Sequence, residues 1–100
     1  MQDRLSVVRQ PMYGSGGVVA YTGTAGTSSA LPVNAIGVWI WCTTDACVRV
    51  GVGVTATTSD WPIPAFQMVW VPVPDNATQA SVVSVVQITS GGNAYYVPGQ

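Results

Sequence analysis

Between positions 48 and 54 the chain reads Val48-Arg49-Val50-Gly51-Val52-Gly53-Val54, an alternation that an extended strand turns into a single buried face. Successive side chains of a strand point to opposite sides. Val48, Val50, Val52 and Val54 therefore share one side, and Cys47, Arg49, Gly51 and Gly53 the other. A helix would scatter the same valines around its circumference.

Composition extends that reading to the whole chain. Valine supplies 18 of the 100 residues, Leu occurs twice, and Lys and Glu are absent. Strands favour β-branched and aromatic residues, whereas the strong helix formers are missing. The expected fold class is all-β.

Charged residues make up 7% of the sequence, three Arg and four Asp, for a net charge of -1. An ordinary domain carries roughly 25%. Without clustered cations there is no electrostatic footprint for DNA or RNA, so no nucleic-acid partner is expected. Disorder is excluded by the wealth of Val, Trp and Tyr. The longest apolar run, residues 35–42, falls short of the ~20 that a membrane helix needs, and no membrane partner is expected. Met1-Gln2-Asp3-Arg4 does not open an apolar secretory signal, so cytoplasmic synthesis is the expectation.

Residues 36–42, with Trp39 and Trp41 alternating with Val38 and Ile40, read as a strand that forms a hairpin with residues 47–54 around Thr44-Asp45. That pairing sets Trp41 opposite Val48 and Trp39 opposite Val50. Residues 55–64 read as an ordered crossing loop, held extended by Pro62 and Pro64. A strand over 66–73 follows, with Pro72 marking an edge or a strand end, and Pro74-Asp75-Asn76 turns the chain. Residues 81–89 form a further strand, and Gly91-Gly92-Asn93 turns it into 94–97. Upstream, 5–9 and 18–22 are strands separated by 11–17, and the Gly/Thr/Ser-rich stretch 23–29 is a mobile loop. The count is about seven strands, a single-domain β-sandwich or jelly roll spanning 1–100 with frayed ends at 1–2 and 99–100. No repeat of 20 to 50 residues divides it.

The inventory for chemistry is thin. There is no His to activate a serine or cysteine nucleophile. Asp3, Asp45, Asp60 and Asp75 fall in terminal or turn-like settings and read as turn formers. Gly14-Ser15-Gly16-Gly17 and Gly51-Val52-Gly53 lack the Lys and the following helix of a phosphate loop. Asn76-Ala77-Thr78 reads as a chance sequon. Cys42 and Cys47 are either reduced structural thiols or a cross-strand disulfide, and two thiolates do not complete a zinc site. No catalytic residue, cofactor or metal is expected, and the chain reads as a non-enzyme.

Strands apolar on both faces need cover on both. In a two-layer sandwich one face of each sheet meets water, yet residues 38–42 and 66–71 carry apolar side chains on both sides. Left bare, such a face exceeds the few hundred square ångströms that monomers tolerate. Burial against another subunit is expected, with a homo-oligomer as its simplest form; a central strand or a third layer of loops is the internal alternative.

Four segments carry a resemblance: Val48-Arg49-Val50-Gly51-Val52-Gly53-Val54, then Ser59-Asp60-Trp61-Pro62-Ile63-Pro64-Ala65, then Val71-Pro72-Val73-Pro74, and Val85-Val86-Gln87-Ile88 ahead of Gly91-Gly92. Over residues 35–97 the chain resembles small virion structural proteins of tailed bacteriophages. The resemblance implies a noncatalytic β-sandwich that decorates or cements a capsid, with the major capsid protein or other virion subunits as partners and the virion as its location. A head-to-tail connector, a tail component or a carbohydrate-binding module are the alternatives. The expected contact residues are Trp61, Ile63 and Phe66 around the Pro-rich loop, Trp39 and Trp70 on the double-faced strands, and Tyr95 and Tyr96 as an amphipathic rim.

Overall fold

The computed structural model of the chain describes residues 10–74 and 80–100. Those residues contain eight strands and no helix: β1 (Gly17–Tyr21), β2 (Gly26–Thr27), β3 (Gly37–Cys42), β4 (Ala46–Gly51), β5 (Trp61–Ile63), β6 (Val69–Pro72), β7 (Val82–Gln87) and β8 (Gly92–Gly99). They form two four-stranded sheets, sheet A in the order β1-β8-β3-β6 and sheet B in the order β2-β7-β4-β5. Every pairing is antiparallel. The all-β sandwich read from the sequence is the fold observed.

Alternation explains the core. Val38, Ile40 and Cys42 of β3 point inward together with Val19 and Tyr21 of β1, Val71 of β6, and Ala94 and Tyr96 of β8. Sheet B answers with Ala46, Val48 and Val50 of β4, Ile63 of β5, and Val83 and Val85 of β7. Burying a Val or Ile contributes about 1.5 to 3 kcal/mol, so this seam of β-branched side chains holds the two layers together.

The expected hairpin between residues 36–42 and 47–54 does not form. β3 lies in sheet A, where Trp39 stands opposite Val97 and Trp70 and Trp41 opposite Tyr95. β4 lies in sheet B, where Val48 faces Val85 and Trp61, and Val50 faces Val83. Residues 43–45 are an arch from one layer to the other. Thr43 fixes one foot of it: its N–H donates to the Asn93 carbonyl and its Oγ1 accepts from the Asn93 N–H, each at 3.0 Å. Thr44 Oγ1 lies 2.8 Å from the Tyr21 hydroxyl and donates to the Ser90 carbonyl at 2.9 Å.

Other boundaries shift for local reasons. β4 stops at Gly51 because Gly53 takes a left-handed φ of 64°, so Val52 is exposed and Val54 folds back over Gly51. The strand over 66–73 shortens to β6, because Phe66 is left-handed with φ 62°. Pro72 ends β6, which is the edge of sheet A, as its missing N–H requires. β8 begins at Gly92 and runs through Gly99, so the expected turn at Gly91-Gly92-Asn93 is displaced to residues 88–91. Gly99 is buried, and Gln10 and Gln100 exchange two backbone hydrogen bonds, so the C-terminal pair is tied down rather than frayed. Part of the expected loop 23–29 is β2, which pairs with β7. The expected strand over 5–9, the Pro74-Asp75-Asn76 turn and the Asn76-Ala77-Thr78 triplet fall wholly or partly outside the described residues, as do Met1, Gln2, Asp3 and Arg4.

The crossing loop supplies a third layer on sheet B. Ala56 packs with Cys47 and Val86, which point outward from β4 and β7. The Ala56 N–H donates to Ser84 Oγ at 2.8 Å, and the Ser84 hydroxyl donates to the Gly26 carbonyl at 3.2 Å. Asp60 closes the loop, its Oδ2 accepting from the Thr57 N–H at 2.7 Å while Oδ1 lies 3.9 Å from Arg49.

A candidate protein-interaction face on sheet A

Among the described residues the outer face of sheet A carries no such loop and is aromatic. Because Val38, Ile40 and Cys42 face the core, the alternation of β3 drives Trp39 and Trp41 outward. Registration then places their neighbours. Tyr95 of β8 stands beside Trp41, Trp70 of β6 beside Trp39, and Val18 of β1 beside Tyr95. Ring centroids are 4.6 Å apart for Trp39 and Trp70 and 5.4 Å for Trp41 and Tyr95.

Phe66 joins this cluster from the turn before β6. Its N–H donates to the Cys42 carbonyl at 2.8 Å, and its ring meets Trp41 edge-on, centroids 5.4 Å apart. A left-handed backbone costs a bulky residue about 1 to 2 kcal/mol. Here that conformation holds a side chain that is 65% exposed, and strain retained at an exposed side chain points to a function for it.

Two glycines make the cluster possible. A Cβ on Gly37 would collide with the indole of Trp70, and one on Gly99 would lie 2.7 Å from Trp39 and 3.0 Å from Trp70. The two indoles lie down over bare backbone. Trp39, Trp41 and Trp70 are thereby half-buried by one another, while Val18 and Tyr95 stay exposed.

Of the seven residues expected at a contact, the structure gathers Trp39, Phe66, Trp70 and Tyr95 on this face. It does not gather the others. Ile63 and Tyr96 are sealed in the chain's own core, because the inward register of β5 and β8 claims them, and they are not contact residues. Trp61 is exposed on the edge strand of sheet B, a different part of the molecule. Trp41, Val18 and Val97 are members that the sequence reading missed. The signal for Trp41 was there, since it lies two residues from Trp39 on the same strand.

The two carboxylates among the described residues hold turns. Asp45 Oδ1 accepts from the Ala65 N–H at 2.8 Å, a turn role like that of Asp60. Beside Asp45, a hollow of about 260 Å³ is lined by Pro62, Ile63, Pro64 and Ile88. Among the described residues no three of His, Cys, Asp or Glu cluster as metal ligands, and no helix is long and apolar enough to cross a membrane.

Both thiols are free and buried, which decides against the disulfide. They face different clusters, Cys42 inward from β3 into the main core and Cys47 outward from β4 beneath the loop, as the arch between the sheets requires. Burial pushes the Cys42 thiol up to about 11, with a hydrogen bond to Tyr21 acting weakly the other way. Cys47 is raised by burial and then by the negative charge of Asp60, and its S–H donates to the Thr58 carbonyl at 3.7 Å.

No protein-family model matches the chain, and no curated protein or solved structure matches it either.

Proposed function

We propose that the chain is a noncatalytic structural subunit of a tailed-bacteriophage virion, a decoration or cement protein that stabilises the shell through apolar contacts. The observation that carries this reading is the uncharged aromatic face of sheet A. Its outward positions carry Val18, Trp39, Trp41, Trp70, Tyr95 and Val97, with Phe66 beside them and no charge among the described residues of the face. Contiguous exposed apolar patches mark protein-interaction sites.

Ring geometry favours a protein over a sugar as the cover. A glycan-binding platform offers ring faces lying flat to solvent. Here the three ring pairs are inclined at 62°, 65° and 53°, so edges and faces are spent on each other in the manner of a protein core. The virion context rests on the resemblance over residues 35–97.

Particles assembled without the chain test the reading. Loss of the subunit is expected to lower resistance to heat and osmotic shock, with wild-type chain restoring it and Tyr95→Glu failing to do so. Filled heads lacking tails would replace the cement role with a joint role. Particles unchanged in resilience and morphology would overturn both.

A further inference from the structure

Beyond the aromatic face, we propose that the hollow beside Asp45 on sheet B seats an arginine side chain presented by a partner protein. Strand register builds the seat. Ala46 of β4 stands opposite Ile63 of β5 and Gln87 of β7. One step further along, the chain brings Pro64, Asp45 and Ile88 into a row: the Ala65 N–H donates to Asp45 Oδ1 at 2.8 Å, and the Ile88 N–H donates to the Asp45 carbonyl at 3.2 Å. Ala46 faces the core, so alternation turns Asp45 to the outer side of the sheet. Pro62, opposite the outward Cys47, lies on that same side.

Size and charge select the occupant. At about 260 Å³ the hollow is smaller than the ~300 to 1,000 Å³ of a small-molecule site and suits a single side chain. Its walls are two prolines and two isoleucines, and its one charge is the Asp45 carboxylate. Oδ1 is engaged by Ala65, whereas Oδ2 has no partner among the described residues. Arg49, the cation among those residues, is turned to Asp60 instead. A carboxylate set among apolar walls calls for a cation that brings an apolar stem. Arginine meets both needs: its methylenes cover Ile88 and the prolines, and its weakly hydrated, planar guanidinium donates a charge-assisted hydrogen bond to Oδ2. A lysine ammonium is a strongly hydrated point charge and loses more on entering.

The chain's own Arg9 falls short of this seat. It adjoins Gln10, which is hydrogen-bonded to Gln100, while the arch leading to Asp45 is held at Asn93. Seven residues of strand separate Asn93 from Gln100, about 23 Å.

The probe is acetyl-Gly-Arg-Gly amide, titrated into the isotope-labelled full chain beside two counterparts: a citrulline peptide, which keeps the shape without the charge, and a lysine peptide. The arginine peptide is expected to shift the Ala65 and Ile88 amide resonances saturably in the millimolar range, and each counterpart to bind about tenfold more weakly or less. Asp45→Asn retains an oxygen to accept from Ala65, so it should keep the fold and lose the response. Ile88→Ala, which lowers a wall and leaves the carboxylate, should weaken it. The absence of a saturable shift, an equal response to citrulline, or a response kept by Asp45→Asn would overturn the seat. An equal response to lysine would overturn the choice of guanidinium. A response that appears only in Arg4→Ala would give the hollow to the chain's own Arg4 and overturn the external partner.

Discussion

Trp39 and Trp70 meet edge to face across the β3–β6 pair, and their rings occupy the space that side chains at Gly37 and Gly99 would fill. Gly37→Ala and Gly99→Ala each force an indole off that surface. Overpacking of this kind costs about 1 to 3 kcal/mol. Urea midpoints are expected to fall with unchanged slope, whereas Gly23→Ala, with nothing nearer than 3.8 Å, should leave the midpoint in place. Equal midpoints for all three would show that the indoles move aside freely.

Ser84 is fully buried and serves two backbone groups, accepting from Ala56 and donating to Gly26. Ser84→Ala leaves a buried N–H and a carbonyl short of a partner, at a cost of about 1 to 3 kcal/mol. Amide exchange at Ala56 should accelerate along with the loss of stability. A silent substitution would mean that water replaces the hydroxyl.

The two thiols differ in what must open to expose them. Cys47 lies beneath the loop that includes Ala56, whereas Cys42 lies in the core between the sheets. Local openings cost less than global unfolding, so a thiol reagent is expected to modify Cys47 first and Cys42 only as the fold is lost. Ser84→Ala should speed the first reaction more than the second. Simultaneous labelling would show that loop and core open together.

Burial holds the Cys42 proton up to about 11 against an ordinary 9.0. The folded state therefore keeps a proton that the unfolded chain releases in this range, so the contribution is intact below pH 9 and is lost as pH rises towards 11. The loss is on the order of 2 kcal/mol. Denaturation midpoints of wild type are expected to fall more steeply from pH 9 to 11 than those of Cys42→Ala. Parallel profiles would assign the alkaline limb to other groups.

Phe66→Gly separates stability from contact. It relieves a left-handed backbone worth about 1 kcal/mol and removes the ring that meets Trp41. Stability in urea is expected to stay within about 1 kcal/mol of wild type, while the variant restores particle resilience less well than the wild-type chain. Full restoration would remove Phe66 from the contact.

The alternations of 36–42 and 47–54 were enough to place two strands, and the double-faced apolar pattern around Trp39 and Trp70 was enough to put apolar side chains on the outer side of a sheet. Ile63 and Tyr96 were misassigned because an apolar residue looks the same whether it faces its own core or a neighbour. Trp41 was missed although it shares the outward face of Trp39, two residues away on β3. Phe66 was named for its place beside the Pro-rich loop, yet nothing in the sequence announced its left-handed backbone.

Residue type and period by themselves determined the all-β class, the approximate strand positions and the shortage of catalytic groups, because these depend on local geometry and on which side chains exist. Partnership was decided only in three dimensions. A three-residue link such as 43–45 can close a hairpin or arch between layers, and the choice falls to contacts far along the chain: Asn93 holding Thr43, Tyr21 and Ser90 holding Thr44, β8 and β6 flanking β3. Those contacts put the indoles together over Gly37 and Gly99 and turned their outer side to solvent.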